Sequence, residues 1–333
     1  MLLNSIWTQP PVLAAVVTGT IALILALWNF FSARKTQTEI EILKSELAEK
    51  KSDNDARREY EFEARKRLYQ EYEPLLFQLM EASENALHRI QSLARTARHG
   101  DLNDIGWLSQ FNYYTKSTLY KLLVPIAIYQ IMQKKLTLLD ITVDNSIGLR
   151  YKIVKQIYLS YTDDFEFARL IENIYYEPNN IDWQVKREDN PKSFWRQGLP
   201  MGLLDKTIDI LIEKDEHGKE RVISYGEFEK KLGDIGNNKN ADIHLSRDIF
   251  YKFHPESRPI LWRILIAQSF LLKALLALQN LKPESITQDV IRKLLVHYDD
   301  ESLNVFRWSN DKSFSDQIEE PFRVAVKYFE NRF

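Results

Sequence analysis

"VLAAVVTGTIALILALWNFFSARK", residues 12–35, is the stretch on which the architecture turns. No ionisable side chain precedes Arg34. The apolar run over 12–31 is about 20 residues, or roughly 30 Å as a helix, which matches the hydrocarbon thickness of a bilayer. Trp7 and Trp28 bracket it, about 31 Å apart on a helix, at the depth where indoles favour the membrane interfaces. A cleaved signal peptide would want a basic leader and a small-residue cleavage site, and this stretch has neither. The expectation is an amino-terminal arm and a single retained span within residues 1–33. Arg34 and Lys35 follow it directly. The positive-inside rule then puts everything after them in the cytoplasm and the short amino-terminal arm outside.

Within the span, Ala14, Thr18, Ala22 and Ala26 recur every fourth residue and share one helix face. Small residues let helix backbones approach in lipid, so this face predicts self-association, as a tetramer or larger. One helix cannot enclose water, so a pore lined by Thr18 needs that oligomer.

Residues 34–73 read as a charged helical stalk. Glu46–Lys50, Asp53–Arg57, Glu61–Arg65 and Glu63–Arg67 are acid-before-base pairs at i, i+4, each worth a few tenths of a kcal/mol to a helix. No Gly or Pro interrupts before Pro74, which allows about 60 Å of helix. Ile40, Leu43, Leu47, Ala64, Leu68 and Leu75 fit the core positions of a heptad. Lys50, Asn54, Arg57, Glu61 and Glu71 break the same frame. A parallel coiled coil held at its ends and a solvated single helix are the two readings.

Residues 74–333 form the third expected region, a helical cytoplasmic domain. Helical periodicity predicts helices over 75–98, 105–139 (kinked or broken at Pro125), 148–160, 164–175, 259–281, 284–297 and 314–331. Two β-rich runs around Asp215, Glu216, His217 and Gly218 predict one small hairpin near 208–225. The fold class is therefore mainly α. Residues 259–281 are apolar enough to suggest a second span, yet Arg263 and Lys273 leave only nine uncharged residues between them. A charge near a bilayer centre costs at least about 3 kcal/mol, so a buried core helix is expected.

The chemistry-bearing patterns are sparse. With no cysteine in its 333 residues, the chain has no disulfide, thiolate metal site or cysteine nucleophile. Its net charge of −2 gives no whole-protein pull on nucleic acid. No phosphate-loop motif occurs. Arg247 with His254, and Arg292 with His297, match a loose ribonuclease spacing that chance alone supplies about once. Asp163, Asp164 and Glu166, like Asp299, Asp300 and Glu301, read as helix-capping acids and not as a metal site. No catalytic residue, metal or cofactor is expected.

The strongest candidate is basic and aromatic. A long connection over 176–202 interleaves Trp183, Lys186, Arg187, Lys192, Trp195 and Arg196. Aromatic faces stack bases while cations meet phosphates, so the expected ligand is a nucleotide or single-stranded nucleic acid. Arg150, Lys152 and Lys155 are expected to add charge, with Arg95 and Arg98 as further cations.

An amino-terminal span, a charged stalk and a helical cytosolic body without an enzyme motif resemble the membrane effectors of bacterial anti-phage defence, and loosely the membrane effector of the Hailong system. The resemblance is one of layout and transfers no residue. It implies a cytosolic part that senses a nucleic-acid ligand and oligomeric spans that permeabilise the inner membrane. Two other readings suit the same residues: a membrane-tethered scaffold that recruits a partner protein, and a membrane-anchored ribonuclease.

Overall fold

The computed structural model describes residues 10–103, 105–109, 112–137, 139–177, 193–194, 196–237 and 250–333. The chain is mainly helical and divides into two compact units, residues 1–63 and 64–333. One helix, α1 (Pro10–Arg98), contributes its first part to one unit and its last part to the other. Pro74 lies inside it. A proline removes one backbone donor from a helix; here its neighbours Tyr72 and Leu75 are buried, and tertiary packing holds the turn.

Among its described side chains the first unit is exposed up to Tyr60, and Glu61 and Glu63 are half-buried. Its apolar window, among the described residues, has no buried residue at all. Val16, Leu23, Trp28 and Phe31 are all open, the state expected of a helix whose solvent is lipid. Ala14, Thr18, Ala22 and Ala26 are exposed with them. The Thr18 hydroxyl donates to the carbonyl of Ala14 at 2.8 Å, and that of Thr20 to Val16 and Val17. The helix thereby satisfies its own hydroxyls. Ile40, Leu43 and Leu47 are also exposed.

Burial in the second unit begins ahead of Pro74, at Leu68 and Tyr72. Three side chains of α1 fasten its entry. Arg65 donates to the carbonyl of Val143 at 3.1 Å, the Tyr69 hydroxyl donates to Asp144, and Glu71 pairs with Lys135. Asp144 also caps α3 (Asn145–Ser160), accepting from the backbone of Ser146 and Ile147. Beyond α1 come α2 (Tyr113–Leu136), α3, α4 (Asp164–Leu170), α5 (Met201–Asp209), α6 (Tyr225–Asn237), α7 (Pro259–Ala277), α8 (Gln288–Val296), α9 (Asp300–Asn304) and α10 (Glu320–Glu330).

Several expectations change here. Pro125 sits within an unbroken α2. The helix expected from residue 105 starts only at Tyr113, because the chain first folds a tight turn. There a Cβ on Gly106 would meet the Asp101 carbonyl oxygen at 2.1 Å. The helix expected over 164–175 ends at Leu170 and is followed by Asn173 in the left-handed region at φ 59°. Helices α5, α6 and α9 are additional to the expected set.

Residues 259–281 do form the expected core helix. α7 packs on α3, α4, α8 and α10, with most of its side chains buried. The hairpin is present as β3 (Ile212–Lys214) paired antiparallel with β4 (Glu220–Val222). One strand pair is additional: β1 (Tyr175–Tyr176) runs parallel to β2 (Ser193–Phe194).

Candidate functional site: a tryptophan-lined cleft at the head of the core helix

The long connection predicted to carry the ligand is described at its two ends, Tyr175 to Glu177 and Ser193 to Phe194. The short parallel pairing holds those two points together, with a further bond from the Glu177 amide to the Phe194 carbonyl at 2.9 Å. Trp183, Lys186, Arg187, Lys192 and Trp195 lie outside the described residues.

The segment from Arg196 to Gly198 is pinned into the core. Asp164 is buried and accepts hydrogen bonds from the Tyr176 hydroxyl, the Gly198 amide (3.1 Å) and the Phe165 amide (3.1 Å). A Cβ on Gly198 would stand 2.5 Å from Asp164 Cβ and 2.8 Å from the Tyr161 carbonyl oxygen, so only glycine fits. Burial raises the Tyr176 hydroxyl above its ordinary pKa, the Asp164 carboxylate adds to the rise, and Arg196 opposes it. Asp163 is likewise structural, accepting from Tyr328 (2.7 Å) and Arg332 (2.8 Å) on and just after α10. Asp163 and Asp164 are thus ties between distant segments, whereas Asp299 is the cap expected of it, accepting from the Ser302 amide at 2.6 Å at the start of α9.

Two buried glutamines shape the adjoining surface. Gln197 is fully buried, and its Oε1 accepts from the Ile260 and Leu261 amides at 2.8 and 3.0 Å, capping α7. Gln317, equally buried, accepts from the Trp308 and Ser309 amides and donates to the Lys312 carbonyl, fixing the 308–312 turn.

Between these fixed pieces lies a cleft of about 420 Å³. Its apolar wall includes Ile174, Phe194, Pro259, Trp262 and Trp308, and its charged lining is Glu172, Glu256, Arg263, Lys312 and Asp316. It adjoins a second cavity of about 330 Å³ that shares Ile171, Glu172, Arg263 and Asp316. Arg263 is held by Glu320 and donates to the Pro259 carbonyl at 2.8 Å. Lys312 pairs with Glu256 at 3.3 Å. Trp262 is 1 % exposed, yet its indole N–H has no hydrogen-bond partner among the described residues. Buried donors are nearly always paired, and the Gln197 Nε2 is a second exception here. The ring of Trp308 is met edge-on by His254 at 5.3 Å.

The remaining predicted cations find separate partners. Arg150 donates to the Leu278 carbonyl at 3.1 Å, Lys152 stands over the Phe333 ring at 5.1 Å, and Lys155 is exposed on α3. None of these contacts is shared with Arg196. Arg95 and Arg98 occupy the last turn of α1, where positive charge suits the carboxyl end of a helix. Arg247 lies outside the described residues. Arg292 is bonded to the Phe333 carbonyl, and His297 is exposed.

Sequence reasoning placed the ligand on the loop and missed Phe194, Trp262, Arg263, Trp308 and Lys312. Their separation along the chain hides them, and only the fold assembles them. Trp262 did carry one signal, an indole at the head of a core helix beside a proline start. No family model, curated protein or solved structure matches this chain.

Proposed function

We propose that the chain is a homo-oligomeric single-span membrane effector whose cytoplasmic body senses a ligand and controls permeabilisation of the bilayer. Anti-phage defence in a bacterial inner membrane is the setting that suits this layout. The observation that supports it is the continuity of α1, which supplies both the exposed apolar segment and the first buried wall of the body. Ligand binding in the body would shift two arrangements of its helices by no more than its differential affinity for them. The grip of Arg65, Tyr69 and Glu71 is where such a shift would reach α1.

The test is dye release from liposomes holding the full chain. Thr18→Ala removes a hydroxyl that bonds only within its own helix, so release should match the parent. Thr18→Leu puts bulk on the small-residue face and should reduce release and oligomer size together. Equal release and equal oligomer size for the two variants would overturn the reading. Full function with an unrelated span would favour the tethered scaffold.

A further inference from the structure

We propose that the Asp144 carboxylate is a releasable clasp between α1 and the body, one oxygen holding α3 and the other holding α1. The inference deepens the reading of the body as the controller of α1 and rests on it for the effect at the bilayer.

Asp144 divides its work by atom. Its Oδ1 accepts from the Ser146 amide at 2.8 Å, the Ser146 hydroxyl at 2.7 Å and the Ile147 amide at 3.2 Å. Those bonds close the first turn of α3. Its Oδ2 accepts from the Tyr69 hydroxyl of α1. Helix α3 is packed on α7, and Arg150 ties it to the Leu278 carbonyl just past the end of that helix. One carboxylate therefore joins α1 to the helix that lies against the core.

The hold on this part of α1 is thin. Over residues 64–71 Leu68 alone is buried, whereas from Leu75 onward buried residues recur at every turn. The bonds from Arg65 to the Val143 carbonyl and from Lys135 to Glu71 lie in solvent, where water and salt compete and such contacts add little. The Tyr69 bond is partly buried and made to a carboxylate, and hydrogen bonds to charged groups are among the stronger ones. A segment held by few buried contacts opens locally, ahead of the rest of the fold. Breaking the bond between Tyr69 and Asp144 should thus free 64–71 and leave the core closed.

The experiment is amide hydrogen exchange of the full chain in lipid nanodiscs. Tyr69→Phe removes the tie and leaves the cap. Asp144→Ser does the same, because serine caps a helix as well as aspartate. Each should raise exchange over 64–71 by at least about tenfold, with α3 and α7 protected as in the parent. The double variant should exchange no faster than either single one, since both remove the same bond. Where dye release separates the two Thr18 variants, Tyr69→Phe should raise release above the parent, because a freed entry lets the spans rearrange. Unchanged exchange over 64–71, additive effects in the double variant or lost protection in α7 would overturn the proposal. So would an unraised release in a chain whose Thr18 variants do differ. If 64–71 stays protected while those variants differ, the clasp falls and the effector reading stands. If 64–71 loosens while they behave alike, the effector reading falls and the clasp stands.

Discussion

Two helical stretches of this chain have the length and apolarity of a membrane span, one beginning at Ala14 and the other over Pro259–Asn280. In the first, none of the apolar window is buried; in the second, 78 % is. What separates them is what surrounds their few polar groups. The first has no charge to house, and its threonines bond to their own backbone. The second carries Arg263, neutralised by Glu320 from α10, and Lys273, whose ammonium stands 5.0–6.0 Å from the rings of Phe270, Tyr298 and Phe306. Burial holds Lys273 below the usual lysine value, with Asp299 opposing the fall. Charges spaced ten residues apart are thus compatible with apolar flanks when a protein interior, and not lipid, supplies the partners.

The sharpest way to break the comparison is to truncate a large side chain in each helix. Phe270 is fully buried, so Phe270→Ala should cost about 3–5 kcal/mol of unfolding free energy. Leu25 is 56 % exposed, and Leu25→Ala should leave the body within about 0.5 kcal/mol of the parent. Denaturant unfolding of the full chain in detergent, followed by near-ultraviolet circular dichroism, measures both. Similar losses would mean that the two helices share one packed environment.

A second pair of substitutions contrasts two glycines only four positions apart. Gly198→Ala pushes a methyl into Asp164 and should cost about 1–3 kcal/mol, because the Asp164 and Tyr161 atoms it meets are fixed. Gly202, in α5, has open space around it, and Gly202→Ala should stabilise by about 0.4–1 kcal/mol. Thermal midpoints decide the sign of each.

These particulars show how far the sequence was readable. The apolar amino-terminal helix, the core helix over 259–281 and the hairpin rest on local pattern: an uncharged run, apolar residues with charges inside them, and β-branched residues around Asp215 to Gly218. Those features survive without knowledge of the fold. Gly106 and Gly198 belong to a different class, because their necessity comes from backbone that approaches from elsewhere. The cleft was unreadable for the same reason, since Phe194, Trp262 and Trp308 come from three separate segments. Asp163 and Asp164 were read by their local helix, whereas Tyr328, Arg332, Tyr176 and Gly198 set their role.

Ion pairs extend the comparison at smaller magnitude. Arg263 and Glu320 are 12 % and 27 % exposed, so Glu320→Gln should cost about 2 kcal/mol. Arg57 and Glu61, at 79 % and 43 %, form an equivalent contact in the first unit. Glu61→Gln there should shift stability by less than about 0.5 kcal/mol. Replacing Arg263 and Glu320 together by leucine should recover most of the loss if desolvation is the main cost of the buried pair.

The smallest effect expected is a pH dependence at the hairpin's exit. Ser224 and Glu227 cap α6 reciprocally: the Ser224 amide donates to Glu227 at 2.7 Å, and the Glu227 amide donates to the Ser224 hydroxyl at 3.3 Å. Arg221 adds a two-pronged contact at 3.0 and 2.6 Å. Hydrogen bonding from Arg221, then from Ser224, holds the Glu227 carboxyl down at about 2 against a reference of 4.5. A depressed folded-state pKa means that the unfolded chain takes up the proton first as pH falls. The contribution of Glu227 is therefore complete above pH 4.5 and is lost progressively as pH drops from there towards 2. Glu227 is solvent-facing, so the effect should be modest and weaken in salt. Thermal midpoints of the parent and of Glu227→Gln, taken from pH 6 downward, should differ most at pH 6 and converge below about pH 2.5. A gap that stays constant over that range would mean that the carboxylate's charge contributes nothing and the cap acts through geometry alone.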